Sequence, residues 1–492
     1  MGITINNKIK KNVTAFLVAF LGTIYIYNLI QLSEKELFWI IFLGGVIVNS
    51  KICLGIKAEN KLYTLLSFII SIYISFAFYI GRLSWKVGPD DFLTWKNLLI
   101  SICGVPFIWI MLIHILNKLN SYKPRKDIGL HRSGELKKNR WILISICIFI
   151  CWLPVLVINY PGIIISDYTW QYFQALGQSE LSNHHPVIHT MIIRFSQWLS
   201  DIIYGQVSAE KAVLINSILQ MVVMAGIIGY ILMQMAREAL ICSRYVKVGV
   251  LILGLYYALF PMNSLFSIYM TKDIIFSGCC FLWGFWLYRD IKVCDSNHNK
   301  ANIKSIIEES IIAILIIYFR SNGFVIVFGT LLLAIVYKKK LKMLYIILGV
   351  TLIAWIMQTP LLNAAKIPKT ELVEALGMSI NQVANVVNHN ECLTEQEKEL
   401  IENVLPLQVI KETYNERYSD PLKFNSQFNG SAIEQNRGEY LKLWMKLFIK
   451  YPKDYLEASL NLTIGYWYPG VDKGCISYNY DTRERSSLIS LK

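Results

Sequence analysis

Charge is scarce in this chain. Only 17% of its 492 residues are Asp, Glu, Lys or Arg, whereas 54% are hydrophobic. A soluble domain seldom has that balance, and long apolar runs recur throughout. Strict alternation of apolar and polar residues is missing as well, which excludes an outer-membrane β-barrel. No small-residue cleavage site follows the first apolar run, so it reads as an uncleaved helix and not a signal peptide. There is no CxxC pair, and the ten cysteines form no disulfide framework. Cys147, Cys151, Cys279 and Cys280 lie in apolar runs, where cysteine behaves as a small hydrophobe. A disulfide stays open only between Cys392 and Cys475. The sequence also lacks GxGxxG, a P-loop and HExxH. These absences argue against a nucleotide-sugar domain and against a helix-borne zinc site. No internal repeat or low-complexity linker is visible.

What is present is membrane helix. A span needs about 20 apolar residues. Eleven stretches approach that length, near 13–31, 37–54, 62–80, 97–117, 141–159, 211–235, 246–261, 268–288, 306–319, 323–337 and 341–358. Every second connection is basic, from KIKK at the start to YKKKLK after the tenth stretch. By the positive-inside rule the N-terminus is cytoplasmic, and loop 160–210 and everything after Thr359 lie outside. The net charge of +14 is thereby explained by topology, with no nucleic-acid partner required. The fold class is an all-α polytopic membrane protein. Its expected divisions are a four-helix membrane region at 1–120, a basic cytoplasmic loop at 121–140, a transmembrane core at 141–358 and an outside segment at 359–492. The ninth and tenth stretches are short and meet at Arg320-Ser321-Asn322-Gly323, a break that resembles the discontinuous helices lining membrane sites.

The polar reach from Asn159 to Trp198 stands out in this background. It holds Asp167, the pair His184 and His185, and His189. The spacing predicts one helix over Asp167 to Leu176 and a second opened by Pro186. In the second, Val187, Ile188, Met191, Ile192, Phe195, Trp198 and Leu199 share a face, with His189, Arg194 and Gln197 opposite, as in an interfacial helix lying on a membrane. Leu441 to Lys450 gives a similar expectation, with Lys442, Lys446 and Lys450 beside Trp444, Leu447 and Phe448. Gly465 to Gly470 carries an aromatic cluster suited to an interface.

Several motifs together carry a family resemblance. They are Tyr160-Pro161-Gly162, Asp167, Asn183-His184-His185-Pro186, Met270-Thr271-Lys272-Asp273, Arg320-Ser321-Asn322-Gly323 and Gly465-Tyr466-Trp467-Tyr468-Pro469. Over about 141–470 their order resembles the GT-C superfamily of membrane glycosyltransferases, which includes protein O-mannosyltransferases and aminoarabinose transferases. It looks most like an uncharacterised bacterial branch of that superfamily. The resemblance implies a GT-C-like core and transfer of a sugar from a polyprenyl-phosphate donor, on the outer face of a bacterial cell membrane. The acceptor would be a hydroxyl of a glycan, lipid or protein. It implies Asp167 as base, by position in the first outside loop of the core. Two departures stand out. Four spans precede the core here, and the chain stops soon after the aromatic cluster, where further spans are expected, as in a fragment or a short variant.

The chemistry of such a transfer needs a base for the incoming hydroxyl and positive charge for the leaving phosphate. Asp167 with His184 and His185 forms the candidate catalytic set, and Lys272 and Arg320 the phosphate-binding set. Tyr160, Asp273, Asn322 and Trp467 are supporting candidates. Each has a plainer rival. Asp167 also suits a helix N-terminus. His184 and His185 also suit a loop cap, and Lys272 and Arg320 also suit snorkelling charges. No cofactor is demanded, and a divalent cation such as Mg or Mn stays an open alternative. A transporter or flippase for lipid-linked saccharides, a polysaccharide polymerase or ligase, and a non-catalytic partner are the competing functions.

Overall fold

The computed structural model describes residues 2–32, 34–53, 61–121, 140–205, 208–240, 244–296, 303–338, 341–368, 372–389 and 392–471. Every regular element among them is a helix, with a single isolated parallel bridge, Ile163 to Tyr269. All eleven expected stretches are helical. Among the described residues seven helices are long and apolar enough to cross a membrane, or eight if the pair Lys247–Leu259 and Pro261–Ser267, bent by 55°, is one span. The eleven-span expectation is therefore met only in part. Glu36–Asn49 and Gly323–Tyr337 are apolar but short. The helix Ile303–Phe319 is shorter than a span and carries Lys304, Glu308 and Glu309. Much of the basic loop expected at 121–140, part of YKKKLK and Cys475 lie outside the described residues.

The chain divides into two compact units, Met1–Tyr122 with Glu371–Tyr478, and Lys123–Thr370 with Asn479–Lys492. In the first, the helices Gly2–Ile30, Lys35–Cys53, Lys61–Arg82 and Trp95–Ser121 pack together, and the C-terminal helices join them. The join is polar. Ser84 donates to Asn461 Oδ1 at 2.5 Å, the Asn461 amide donates to the Pro89 carbonyl at 2.8 Å, and Glu457 accepts the Leu93 N–H at 3.1 Å. The C-terminal helices have their own apolar core around Val386, Leu447 and Tyr455.

That core corrects the expectation for Leu441 to Lys450. The helix Arg437–Lys450 does not simply lie on a surface, because Leu443 and Leu447 are buried in this core. Lys446 and Lys450 pair with the buried Glu397 at 3.0 and 3.7 Å. Glu397 also closes a capping box with Thr394, so its carboxylate is held from two sides.

In the second unit the helices Arg140–Ile158, Ala209–Leu240, Arg244–Leu259, Lys272–Ser296, Ile303–Phe319, Gly323–Tyr337 and Lys342–Ala364 form the apolar body. Their outward residues remain apolar, with Val157 73%, Leu333 72% and Ile353 64% exposed. Such surfaces suit lipid and not water. The helix Val187–Tyr204 is inverted relative to a soluble amphipathic helix. Its buried residues are His189, Thr190, Ile193, Ser196, Gln197 and Ser200, while Met191, Phe195, Trp198 and Ile202 are exposed. Of the polar side, His189 and Gln197 meet protein whereas Arg194 stays exposed. Gln197 donates to the Tyr172 carbonyl at 3.1 Å, and Ser196 donates to Asn216 Oδ1 at 3.2 Å. Buried polar groups need such partners, and this helix takes them from its neighbours.

Candidate functional site

The site begins where the apolar helix Arg140–Ile158 stops. Its successor residues make a turn with a cis Tyr160–Pro161 bond and Gly162 at φ 147°. Ile163 then pairs with the 268–270 stretch. Its N–H donates to the Ile268 carbonyl at 3.0 Å, and its carbonyl accepts the Met270 N–H at 2.9 Å. This two-bond bridge sets the register between distant parts of the chain. It places the start of the helix Ser166–Leu176 beside the start of the helix Lys272–Ser296.

Asp167 and Lys272 meet there. Lys272 Nζ donates to Asp167 Oδ2 at 3.1 Å and lies 3.3 Å from His185 Nδ1. His185 Nδ1 is 3.8 Å from the same Asp167 oxygen. A cation in the first turn of a helix opposes the helix dipole, so Lys272 needs carboxylate company in its position. It has two neighbours of that sign. Asp273, next in sequence, is ion-paired with Arg320 and lies 3.4 Å from the Thr271 hydroxyl. Two successive residues thus head two ion pairs, one to each side. Arg320 is carried by the short turn between the helices Ile303–Phe319 and Gly323–Tyr337, and its guanidinium also lies 6.0 Å from the Phe276 ring.

Burial separates the roles. The side chains of Lys272 and His185 are sunk, at 13% and 6% exposed, whereas Asp167 is 45% exposed. Both contacts to Asp167 fall on Oδ2, and among the described residues Oδ1 accepts no hydrogen bond. Burial alone would raise the Asp167 carboxyl, but the charge of Lys272, then His185, then the Lys272 hydrogen bond outweigh it. The net direction is down. The carboxylate is therefore ionised at neutral pH, with one oxygen engaged and the other open.

Behind the cluster sits a fixed imidazole. The Gln171 amide donates to Thr190 Oγ1 at 3.0 Å, which turns its carbonyl oxygen toward His189 Nδ1 at 2.9 Å. His189 must then donate from Nδ1 and keep its lone pair on Nε2. That Nε2 is buried and has no hydrogen-bond partner among the described residues. Burial, then the nearby Lys272 and His185 charges, push this imidazole down to about 3, with Asp167 opposing. The expected interfacial role of His189 is thus corrected: it is 1% exposed and part of a buried network with Gln171 and Thr190.

This arrangement makes a pH prediction. In the unfolded chain His189 takes a proton near its ordinary 6.5, whereas in the folded chain it stays neutral down to about 3. The unfolded state binds more protons across that window, so stability falls as pH falls through it, by up to about 1.4 kcal/mol per unit. Asp167, held below its ordinary carboxyl value by Lys272 and His185, stays ionised from pH 7 to pH 5 and leaves that part unaffected. Thermal unfolding followed from pH 7 to pH 5 should be less acid-sensitive in His189→Gln than in wild type. An unchanged slope would show that His189 is protonated in the fold.

The other expected residues are placed less centrally. His184 is exposed and meets His185 edge-on, ring centres 4.5 Å apart. The Tyr160 hydroxyl accepts from Lys211 at 2.9 Å. Asn322 is exposed at the start of the helix Gly323–Tyr337 and makes no side-chain capping bond there. Trp467 belongs to the first unit, where it packs on Phe76 at 5.8 Å and donates to the Leu460 carbonyl. Among the described residues no group of three His, Cys, Asp or Glu side chains is arranged to hold a metal ion. Gln171 and Thr190 were not singled out by sequence. Their signal was spacing, since Gln171 follows Asp167 by four and His189 follows His185 by four.

Residues 168–487, well over half of the chain, match the profile of a family of unknown function, DUF6020. The chain belongs to that family. The DUF6020 match starts one residue after Asp167 and takes in His184, His185, Lys272, Asp273, Arg320 and Trp467. It draws on both compact units, so the C-terminal helices are part of what defines DUF6020 here. No curated protein and no solved structure matches the chain.

Proposed function

We propose that this DUF6020 protein is a membrane glycosyltransferase of GT-C type. It moves a sugar from a polyprenyl-phosphate donor to a hydroxyl of a glycan, lipid or protein on the outer membrane face, with Asp167 as base. The observation that carries the proposal is the Asp167–Lys272–His185 cluster. Two residues nominated for the catalytic set, Asp167 and His185, and one nominated for the phosphate, Lys272, come within 3.8 Å of one another across 105 residues of sequence. In this reading all eleven apolar stretches belong to the membrane body, the short ones being held by their neighbours.

The step is a displacement at the anomeric carbon. The acceptor oxygen forms the new bond, the bond to the phosphate oxygen breaks, and the acceptor proton passes to Asp167. Negative charge grows on the leaving phosphate, where Lys272 and Arg320 supply the balance. Both cations are held by carboxylates in the free protein. A phosphate arriving at Lys272 competes with Asp167 for its protons. As that competition succeeds, the Asp167 carboxylate loses its partner and becomes a better base. Donor binding would thus switch on the acceptor side. His185 keeps Lys272 in place during the exchange, and His184 guards the open edge. A divalent cation, Mg or Mn, remains an alternative source of positive charge.

The test uses the full chain in nanodiscs with a panel of polyprenyl-phosphate monosaccharides, following free polyprenyl phosphate. Release with at least one donor, faster when a hydroxyl acceptor is added, is expected. Tight donor binding with no release under any acceptor would remove the transferase reading. It would favour a flippase or transporter, for which the 55° bend before Pro261 and the break at Arg320 to Gly323 are the supporting features.

A further inference from the structure

Far along the sequence from the charged cluster, the C-terminal helices of the first unit hold a space of their own. A cavity of about 350 Å³ is enclosed by residues from Leu372 to Trp444. Leu376, Val383, Leu443 and Trp444 form its walls, and nearly every other lining residue is apolar too. Among the described residues Arg437 is the one charged side chain that lines it. Its Nε donates to the Glu434 carbonyl at 3.2 Å, and its two terminal amino groups meet no protein partner among the described residues. The guanidinium is exposed, so it stands at the mouth while the interior stays apolar.

The surface beside the mouth continues the same chemistry. Leu441 lines the cavity and is 61% exposed. Met445 and Phe448 follow at helical spacing on the helix Arg437–Lys450 and are also exposed. An apolar row thus runs up to an apolar hole with one cation at its rim. A dry apolar cavity takes an apolar guest more readily than water. At about 30 Å³ per water-sized group the space admits roughly ten methylene-sized groups. A narrow guest with a negative end fits this combination. A neutral disc-shaped guest would leave Arg437 unused.

We infer that this cavity holds one aliphatic chain of an anionic membrane lipid, with Arg437 taking the phosphate of its head. The site shares no residue with the Asp167 cluster, and its test does not depend on any transferase activity. Trp444 is a built-in reporter, since it lines the cavity and is fixed by its indole N–H to Gln382 at 2.8 Å.

The experiment uses the full chain in phosphatidylcholine nanodiscs doped with phosphatidylglycerol brominated on its acyl chains. The Trp444 signal is the difference between wild type and Trp444→Phe. Quenching of that signal by brominated phosphatidylglycerol is expected. It should exceed the quenching by brominated phosphatidylcholine at equal mole fraction at least threefold. Val383→Phe, which fills the cavity, should abolish it, with Leu376→Phe as a second filling variant should the first unfold. Arg437→Gln should bring the two lipids level. No quenching of Trp444, equal quenching by both lipids in wild type, or quenching unaffected by a folded filling variant would each overturn the inference. So would displacement by polyprenyl phosphate but not by excess unbrominated phosphatidylglycerol.

Discussion

Asp167→Asn is expected to lower release of polyprenyl phosphate by about 10²- to 10⁴-fold, the usual contribution of a positioned base. The substitution keeps the side chain's size and leaves an oxygen for Lys272, so the local fold should survive. Asp167 is close to half exposed but Lys272 is sunk, so removing the carboxylate leaves Lys272 with Asp273 as its neighbouring negative charge. Unfolding temperature should therefore fall modestly while turnover collapses. Donor affinity should move the other way. Lys272 is freed from its carboxylate partner, so a phosphate no longer competes for it, and binding should be equal or tighter. Lys272→Gln should show the complementary pattern, weaker donor binding together with lost turnover. Turnover in Asp167→Asn within threefold of wild type would eliminate Asp167 as the base. Loss of turnover with a parallel loss of donor binding would make it a binding residue.

Much of this was legible in the chain. The helices follow from apolar run length, and the short helix from Ser166 follows from an acid just after the turn at Gly162. Asp167, Lys272 and His185 could be nominated because charged and titratable groups are rare in such a sequence and appear at helix ends. Their mutual contact could not be read, because it depends on the Ile163–Tyr269 bridge, a backbone event with no side-chain signature. The orientation of the helix Val187–Tyr204 was misread for a related reason. Its apolar stripe was visible, but the partners of His189 and Gln197 sit on the preceding helix, so the polar face looked free. The cross-links of Asn461 and Glu457 to residues 84–93 were equally hidden, since they span more than 360 positions.

The second large effect is predicted for the backbone of that bridge. Gly162 has φ 147°, where an L side chain is strained, and a Cβ there would lie 2.3 Å from Ser217 Oγ. Ser217 is not idle, because its hydroxyl donates to the Pro161 carbonyl at 2.8 Å. In Gly162→Ala either the serine turns away and that bond is lost, or the turn moves and takes Ile163 with it. The first route costs a buried hydrogen bond and the second the register that brings Asp167 to Lys272. Together with the strained φ, the penalty should be about 2–4 kcal/mol. Activity should fall alongside stability, unlike in Asp167→Asn. The double substitution Gly162→Ala with Ser217→Ala removes the obstructing oxygen and should recover the steric part only, leaving the strain. Gly323→Ala provides the contrast. Its Cβ would meet the Ile316 carbonyl oxygen at 2.1 Å, a backbone atom that no rotamer change can clear. No second-site truncation should rescue it, and the Arg320–Asp273 pair should loosen with the turn. If Gly162→Ala unfolds at the wild-type temperature and keeps full turnover, the bridge does not hold the site together.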